Sequence, residues 1–466
     1  MRFKEEPDVF DMSGWTRFTV CCCFALLSTA LPLDGRQSIE ADPHAAGAGR
    51  QPITVVDYDA RLEPDLEAGS IAGSVTLTLD RPATAADSLS LDRGDLTIDK
   101  VETDGVAIPF EVAGQKLTMT PGVSRNGRTR GDARITISYH GSPRFGLMFF
   151  PQRHQIYTLF STSQWMVAID APSARASFHL RLVVPKGWTV VGNGREVARR
   201  TLSATTELSE WREDRPVPTY TFGFSAGQFT TTTERHHGVT LHYAAGGFAE
   251  PELTRVFAES ARMLDFFTQR SDVRYPGDRY SQLLVARTAG QEMTGFSILS
   301  DDYGRTILAD PTNVSLLAHE FAHQWWGNLV TCRDWTHFWL NEGFATFMAA
   351  AYREQRFGRE VYLKDIEEMR TRYERVRDAH HDRSLVFPDW NRPTADDRTL
   401  VYQKGAYVLH LLRELIGDRA FWAGIRRYTR LNAGRSVTTG DFQRAMEQAS
   451  GRSLEAFFAE WVYLRQ

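Results

Sequence analysis

Two different periods run along this chain, one after the other. Over residues 53–230, apolar and polar residues alternate in short runs: ITVVDYDARL, SVTLTLD, LTIDKVE, RITISYH, SFHLRLVV and TYTFGFSA. A period of two sends alternate side chains to opposite faces, as a half-buried strand requires. Turn residues in GDL, TDGVA, PKG and GNG separate the runs. Such a series predicts an all-β domain of sandwich type. Over residues 231–466 the apolar spacing lengthens to three and four. PELTRVFAESARMLDFFTQR, NVSLLAHEFAHQWWG, EGFATFMAAAYREQRFG, VYLKDIEEMRTRYERV, VYQKGAYVLHLLRELIG and SLEAFFAEWVYLR each carry a helical stripe. Pro251 opens the first, and Gly327 and Gly358 are expected to stop the second and third. GVTLHYAAG and YSQLLVAR still read as strands. The expected fold class is α+β, with a β domain followed by a mostly helical one.

Residues 1–52 follow neither period. The run FTVCCCFALLSTA over residues 18–30 is too short for a membrane-spanning helix, which needs about 20 apolar residues. Its length and its small residues Ser28, Thr29 and Ala30 fit a secretory signal peptide over residues 1–30. The alternatives are a disordered terminus and a short uncleaved anchor, and Met12 offers a tidier start than Met1. Residues 31–52, rich in Gly, Ala, Pro and charge, read as a linker.

Composition narrows the function classes. With 42% hydrophobic and 24% charged residues among 466, the chain can bury large cores, which excludes a long disordered protein. A net charge of -4, from 54 basic and 58 acidic residues, argues against a nucleic-acid partner. Three of the four cysteines lie in the leader. Cys332 is then alone, so neither an internal disulfide nor a multi-cysteine zinc site is expected. No later segment reaches 18 apolar residues, so no membrane span is expected after leader removal. The expected state is a secreted or periplasmic monomer.

The chemistry concentrates in LLAHEFAHQWWG, which holds His319-Glu320-Phe321-Ala322-His323. Residues i and i+4 share a helix face, so both imidazoles can reach one ion. Two imidazoles suit Zn²⁺, and a catalytic site needs a third protein ligand. Glu342, 19 residues after His323 in FWLNEGFATF, is the candidate. The HExxH pattern alone would arise by chance in about 2% of such chains, and the added Glu lowers this to roughly 0.1%, so the pattern is a signal. Zinc would acidify a bound water, and Glu320, one turn before the second imidazole, is placed to take its proton as general base.

HEFAHQWWGN followed by WTHFWLNEGFATF closely resembles the gluzincin zinc aminopeptidases of the membrane alanyl aminopeptidase and leukotriene A4 hydrolase type. The resemblance implies an N-terminal β domain over residues 53–230, a thermolysin-like catalytic domain over residues 231–466, and a peptide substrate. It implies one zinc ion on His319, His323 and Glu342. Tyr402, in the Tyr-x-Lys-Gly segment of VYQKGAYVLHLL, takes the place of the oxyanion donor, a role that suits a neutral phenol. Gln164, ending FSTSQ, takes the place of a polar residue that helps bind the substrate's N-terminus. The large C-terminal helical domain of most members has no counterpart, which implies a more open cleft.

One motif departs from the family. Members bind the substrate α-amine with the Glu of Gly-x-Met-Glu-Asn, and this chain reads Gly290-Gln291-Glu292-Met293-Thr294-Gly295-Phe296. Matching the methionines puts Thr294 at the Glu position and removes the carboxylate. Anchoring on Gly295-Phe296 puts Glu292 there and Gln291 at the usual Met. The second alignment makes Gln291, Glu292 and Met293 substrate-binding, and the backbone from Gly290 to Met293 can pair with an extended peptide.

Other signals are discounted. His236-His237 and His380-His381 are adjacent pairs, and neighbours do not share a helix or strand face, so they are expected to be poor chelates in surface loops. Arg353, Arg356 and Arg359 read as a solvated face, Trp325 and Trp326 as packing, and Cys332 as a spectator thiol. The expected activity is a zinc peptidase, most simply an aminopeptidase on short peptides. An endopeptidase, or an enzyme acting on blocked peptides, and an inert binding module are the alternatives.

Overall fold

The computed structural model describes residues 52–84, 87–121, 134–288, 290–388, 390 and 393–464. The leader expected over residues 1–30 lies outside the described residues, as does the expected linker except residue 52.

The first half is organised by an eight-stranded sheet. Its spatial order is Arg195–Thr201, Thr206–Pro218, Arg175–Pro185, Val55–Asp65, Ser70–Leu79, Arg134–Gly141, Thr97–Thr103 and Val106–Ala107. Val55–Asp65 and Arg175–Pro185 pair in parallel, with Tyr58 opposite Phe178 and Leu62 opposite Leu182. All other neighbours in this sheet are antiparallel. The alternation of ITVVDYDARL buries Tyr58, Ala60 and Leu62 on one face. A four-stranded and a three-stranded sheet join the same core through Ile156, Phe224, Leu91 and Leu117. This is the sheet-on-sheet layering expected of a sandwich.

Two details differ from the sequence reading. TYTFGFSA is not one strand: Thr219–Thr221 forms a 3-10 turn and pairing resumes at Phe224–Gly227. The Asn193 side chain takes the place of a partner strand there. Its Nδ2 donates to the Thr221 carbonyl at 2.9 Å, and its Oδ1 accepts from Gly223 N–H at 2.8 Å. The 13-residue strand Thr206–Pro218 had no clear apolar alternation, because it buries Glu207, Glu210 and Glu213. Arg199, Arg200 and Arg215 pair with those three carboxylates in turn, and pairing is what allows a carboxylate to be buried.

The second half opens with a five-stranded sheet in the order Thr230–His236, Val239–Ala245, Arg279–Val285, Phe296–Ser300, Gly290–Met293. Gly290–Met293 is therefore an edge strand, antiparallel to its one neighbour. Helices pack beyond the sheet, chiefly Ser260–Ser271, Ser315–Ala322, Trp339–Phe357, Arg359–Asp378, Gly405–Ile416, Asp418–Asn432 and Thr439–Ser450. The stripe of PELTRVFAESARMLDFFTQR splits into Glu250–Val256 and Ser260–Ser271. Phe267 of the latter lies 5.9 Å from Phe321, 5.7 Å from Trp325 and 6.3 Å from Trp326, ring centre to ring centre. These indoles are fully buried packing, as expected, and each such ring contributes about 1.5–3 kcal/mol by burial.

The two halves meet through a small shared core of Tyr157, Val191, Leu283, Val285, Met293 and Phe296. Polar fasteners surround it. Tyr157 Oη donates to the Ala286 carbonyl at 2.5 Å, and Gln155 Oε1 accepts from Ala286 N–H at 3.1 Å. Arg175 donates to Thr331 Oγ1 at 2.8 Å and to the Asn328 carbonyl at 3.2 Å. No helix among the described residues is long and apolar enough to cross a membrane.

Candidate active site

The helix Ser315–Ala322 ends sooner than its stripe suggests, with His323 as its cap and not Gly327. Asn328 N–H donates to the His323 carbonyl at 2.9 Å, and Gly327 turns the chain at φ +135°. That turn sends Trp325 and Trp326 into the core while His323 keeps helical geometry, so the i, i+4 relation survives. His323 Nε2 and His319 Nε2 stand 3.1 Å apart.

Glu342 arrives on the next helix, Trp339–Phe357, which begins one turn earlier than expected and so places Glu342 in its first turn. Its Oε2 lies 3.3 Å from His319 Nε2 and 3.5 Å from His323 Nε2. The far side of each imidazole is also engaged. His323 Nδ1 lies 3.1 Å from the Trp326 carbonyl, and His319 Nδ1 lies 3.4 Å from Thr346 Oγ1. Contacts of this kind fix the ring and leave Nε2 toward the common point. Thr346 escaped the sequence reading, although it lies four residues after Glu342 on the same helix face.

The donor set fits a cation. Glu342 Oε2, Glu320 Oε2 and Glu292 Oε1 are buried and have no hydrogen-bond partner. His319, His323 and Glu342 offer ligand atoms within 4.8 Å of one another, and so do Glu292, Glu320 and His323. Three buried carboxylates beside two imidazoles are costly without positive charge. The titration pattern of the metal-free site says the same. Burial drives the Glu320 carboxyl well above its ordinary value and the Glu292 carboxyl up to about 7, with His323 opposing both. Burial also disfavours charge on His323 and Glu342, and is the largest single influence on each, but the opposite charges and hydrogen bonds around each together outweigh it. Glu342 is held down at about 2 and His323 up at about 10, with Glu292 and Glu320 adding to the latter. His319, in contrast, is pushed down by burial.

Two glycine contacts set the walls. A Cβ on Gly290 would come within 2.1 Å of Glu320 Oε1, so the edge strand meets the Glu320 carboxylate through bare backbone. A Cβ on Gly343 would lie 3.0 Å from the Gly405 Cα, so the helices carrying Glu342 and Tyr402 touch backbone to backbone. Tyr402 lies in a π-helical turn, Leu400–Lys404, ahead of Gly405–Ile416. Such turns concentrate at functional sites. Its ring stacks on His319 with centres 5.9 Å apart and planes at 12°. Lys404, fully buried, anchors the same turn by donating to Asp382 Oδ1 at 2.7 Å and to the Arg383 carbonyl at 3.0 Å.

The edge strand sorts the remaining expectations. Glu292 faces Glu320 and His323, while Thr294 faces away, its Oγ1 2.7 Å from Thr221 Oγ1. The alignment anchored on Gly295-Phe296 is thus the one that brings a carboxylate to the centre. Gln291 holds that carboxylate, donating from Nε2 to Glu292 Oε2 at 2.7 Å, and accepts from Phe160 N–H at 3.1 Å. Phe160 and Ser161 both have left-handed backbone, at φ 35° and 41°. Met293 packs its side chain into the shared core against Gly223, and its carbonyl accepts from Gln324 Nε2, in the turn after the metal helix, at 3.0 Å. Gln164 is buried beside Gly94 and Gly146, and its Oε1 has no hydrogen-bond partner. Gln324 was missed by the sequence reading; its Oε1 also accepts from Gly295 N–H at 3.0 Å, riveting the hairpin to the turn that follows the metal helix. Tyr220 of the β domain reaches the same region, donating to the Gly327 carbonyl at 3.2 Å and accepting from Asn341 Nδ2 at 3.1 Å.

Known proteins share this fold. The profile of the Peptidase M1 N-terminal domain matches residues 55–221, and that of the Peptidase family M1 domain matches residues 256–461. The curated relatives include aminopeptidase N of Streptomyces lividans, 24% identical over 443 residues, which are 89% of this chain and 51% of the relative. Aminopeptidase N of Lactobacillus delbrueckii subsp. lactis is 25% identical over 436 residues, 87% of this chain and 50% of the relative. The chain thus spans about half the length of the curated relatives it matches. Among solved structures, an M1 zinc metallopeptidase from Deinococcus radiodurans superposes with a TM-score of 0.71 at 24% identity, over 90% of this chain and 96% of that one. A form of that protein bound to a Tyr-Ser-Ala substrate gives the same TM-score, 0.71. With both family profiles matched in order and their metal-binding residues gathered at one point, the chain belongs to peptidase family M1.

Proposed function

We propose that this chain is a zinc-dependent aminopeptidase that removes residues from the free amino end of short peptides. One observation carries the reading: the edge-strand carboxylate of Glu292 converges with Glu320 and His323 within 4.8 Å. A metal site and a buried acid for an amine thus share one cleft. His319, His323 and Glu342 are the residues that hold the ion. Bound there, zinc supplies a Lewis acid and a water acidified to about pKa 7.

The chain's own residues do the rest. Glu292, held by Gln291, receives the peptide's ammonium group, and that charge restores the ionised form that burial disfavours. The edge strand Gly290–Met293, paired with Phe296–Ser300 on one side only, takes the peptide backbone as one more strand. Glu320, set against the bare backbone of Gly290, takes a proton from the attacking water and returns it to the leaving amine. Tyr402, fixed against His319, donates its phenolic hydrogen to the developing oxyanion. The orphaned Gln164 Oε1 is a further acceptor for the substrate's N-terminus.

The substrate of the Deinococcus protein is a tripeptide, which supports short peptides here. The apolar run over residues 18–30 supports export, so we place the enzyme in the periplasm or outside the cell. We take the working unit to be a monomer, because the donor set is complete within one chain. The test is hydrolysis of free-amine peptides by the purified chain, lost on chelation and restored by zinc, with Glu320→Gln binding zinc but losing about 10²–10⁴ in rate. A zinc-loaded protein inert toward a diverse peptide library would reject the proposal.

A further inference from the structure

The catalytic cluster has a counterpart at the molecular surface. The strand Thr230–His236 returns into Val239–Ala245 through a two-residue turn, His237-Gly238. Both turn residues have positive φ, 46° and 86°, as a tight hairpin of this hand requires. In an ordinary strand, His236 and His237 would point to opposite faces. The left-handed backbone at His237 cancels that alternation, and the rings stand 4.3 Å apart, centre to centre. The expectation that the two neighbouring side chains point apart does not hold for this pair.

Both imidazoles face one carboxylate. Asp265, on the helix Ser260–Ser271, lies with its Oδ1 2.8 Å from His236 Nε2 and 3.5 Å from His237 Nε2. In the catalytic cluster the corresponding distances to Glu342 Oε2 are 3.3 and 3.5 Å. A tetrahedral ion with bonds of about 2.0–2.1 Å sets its ligand atoms about 3.3 Å apart; the His237–Asp265 leg is close to that, and the 2.8 Å His236–Asp265 hydrogen bond would have to open by about 0.5 Å to admit the ion. The resemblance ends at burial. The side chains of His236, His237 and Asp265 are 26%, 76% and 50% exposed, so water has room to complete the coordination. The other adjacent pair provides a contrast. His380 also has positive φ, 60°, but only His381 reaches a carboxylate, with Nδ1 2.6 Å from Asp396 Oδ2, and no three-residue group forms there among the described residues.

We propose that His236, His237 and Asp265 form a second, accessory site for a zinc-like divalent transition-metal ion, distinct from the catalytic one. Two imidazoles and one carboxylate suit zinc, nickel or copper better than magnesium or calcium, which favour oxygen donors. The ion joins the hairpin tip of the sheet to the helix whose Phe267 packs on Phe321 of the catalytic metal helix. Its consequence is mechanical: it fastens the sheet's outer edge to the core behind the active site.

The experiment uses the intact chain without a histidine tag, dialysed to equilibrium against zinc chloride, with bound metal measured by mass spectrometry. Wild type is expected to hold two zinc ions per chain, and His237→Ala and Asp265→Asn one each, with peptidase rate unchanged. His381→Ala, the control, is expected to keep two. Wild type alone should show an upward shift in Tm as zinc is raised beyond the first equivalent. A single ion in wild type, or a second ion retained in both cluster variants, overturns the site. A second ion that leaves Tm unmoved overturns its fastening role.

Discussion

The two sides of the active-site cleft are built in different ways. The metal side stands on two helices, and each ligand is also fixed locally: His323 by the Trp326 carbonyl, His319 by Thr346 and by the face of Tyr402, Glu342 by its place in a first helical turn. The amine side stands on the four-residue edge strand Gly290–Met293. Its carboxylate, Glu292, depends on one hydrogen bond from Gln291, and Gln291 on one backbone N–H from the other domain. Position on the metal side is over-determined by secondary structure. Position on the amine side exists only after the two domains have docked. Rate should therefore reside in the first and the counting of residues from the amino terminus in the second, and the two should be separable.

The largest test of that separation is Tyr402→Phe. Removing one oxyanion donor is expected to lower kcat by about 10²–10³. Because Tyr402 belongs to the metal side, preference for a free amine should persist in the residual activity, and steady-state kinetics on paired free and acetylated peptides checks both. Next comes Gly343→Ala. The added methyl meets the Gly405 backbone at 3.0 Å, and overpacking of this kind costs about 1–3 kcal/mol in denaturant unfolding. It should weaken zinc binding by moving Glu342, yet leave the Gln291–Glu292 contact in place.

A smaller effect is the pH dependence of zinc binding. In the metal-free chain His323 is raised to about 10 by Glu342, Glu292 and Glu320, despite its burial. The ion must displace that proton. An ordinary imidazole is already neutral above about pH 7.5, so affinity would stop rising there. Here the apparent Kd should keep falling, by up to about tenfold per pH unit, as pH climbs toward the His323 value. Titration calorimetry from neutral to mildly alkaline pH reads this directly, and a plateau above neutrality contradicts it.

What could be read from the sequence follows the same division. His319, Glu320 and His323 were legible because helical periodicity fixes their relation, and it survived even though the helix stops at Ala322. Glu342 was legible from its spacing and its place at a helix start. Glu292 was preferred to Thr294 only through the match of Gly295-Phe296, because a four-residue strand has no periodicity to lean on. Only pairing with Phe296–Ser300 turns Glu292 inward and Thr294 toward Thr221. Thr346, Gln324, Gly290 and Gly343 were missed because their roles are tertiary: a ring tether, a rivet and two close approaches. The strand Thr206–Pro218 was missed for a related reason, since Arg199 and Arg200 of the neighbouring strand, with its own Arg215, let its glutamates be buried. The two side chains of His236-His237 do not point apart, because one left-handed residue undoes the alternation on which that expectation rests.

The central claim is that Glu292 makes this enzyme count from the amino terminus. The most direct test is the digestion of matched peptides, with free and acetylated N-termini, by wild type and by Glu292→Gln, followed by mass spectrometry. Both proteins must first be shown to carry the same catalytic zinc. Wild type should trim only the free-amine peptides, one residue at a time. The variant should lose about ten- to a hundredfold in kcat/KM on those peptides, the worth of a hydrogen bond to a charged group, and much of its discrimination. Unchanged preference in Glu292→Gln, or internal cuts in both peptide sets by wild type, would contradict the account.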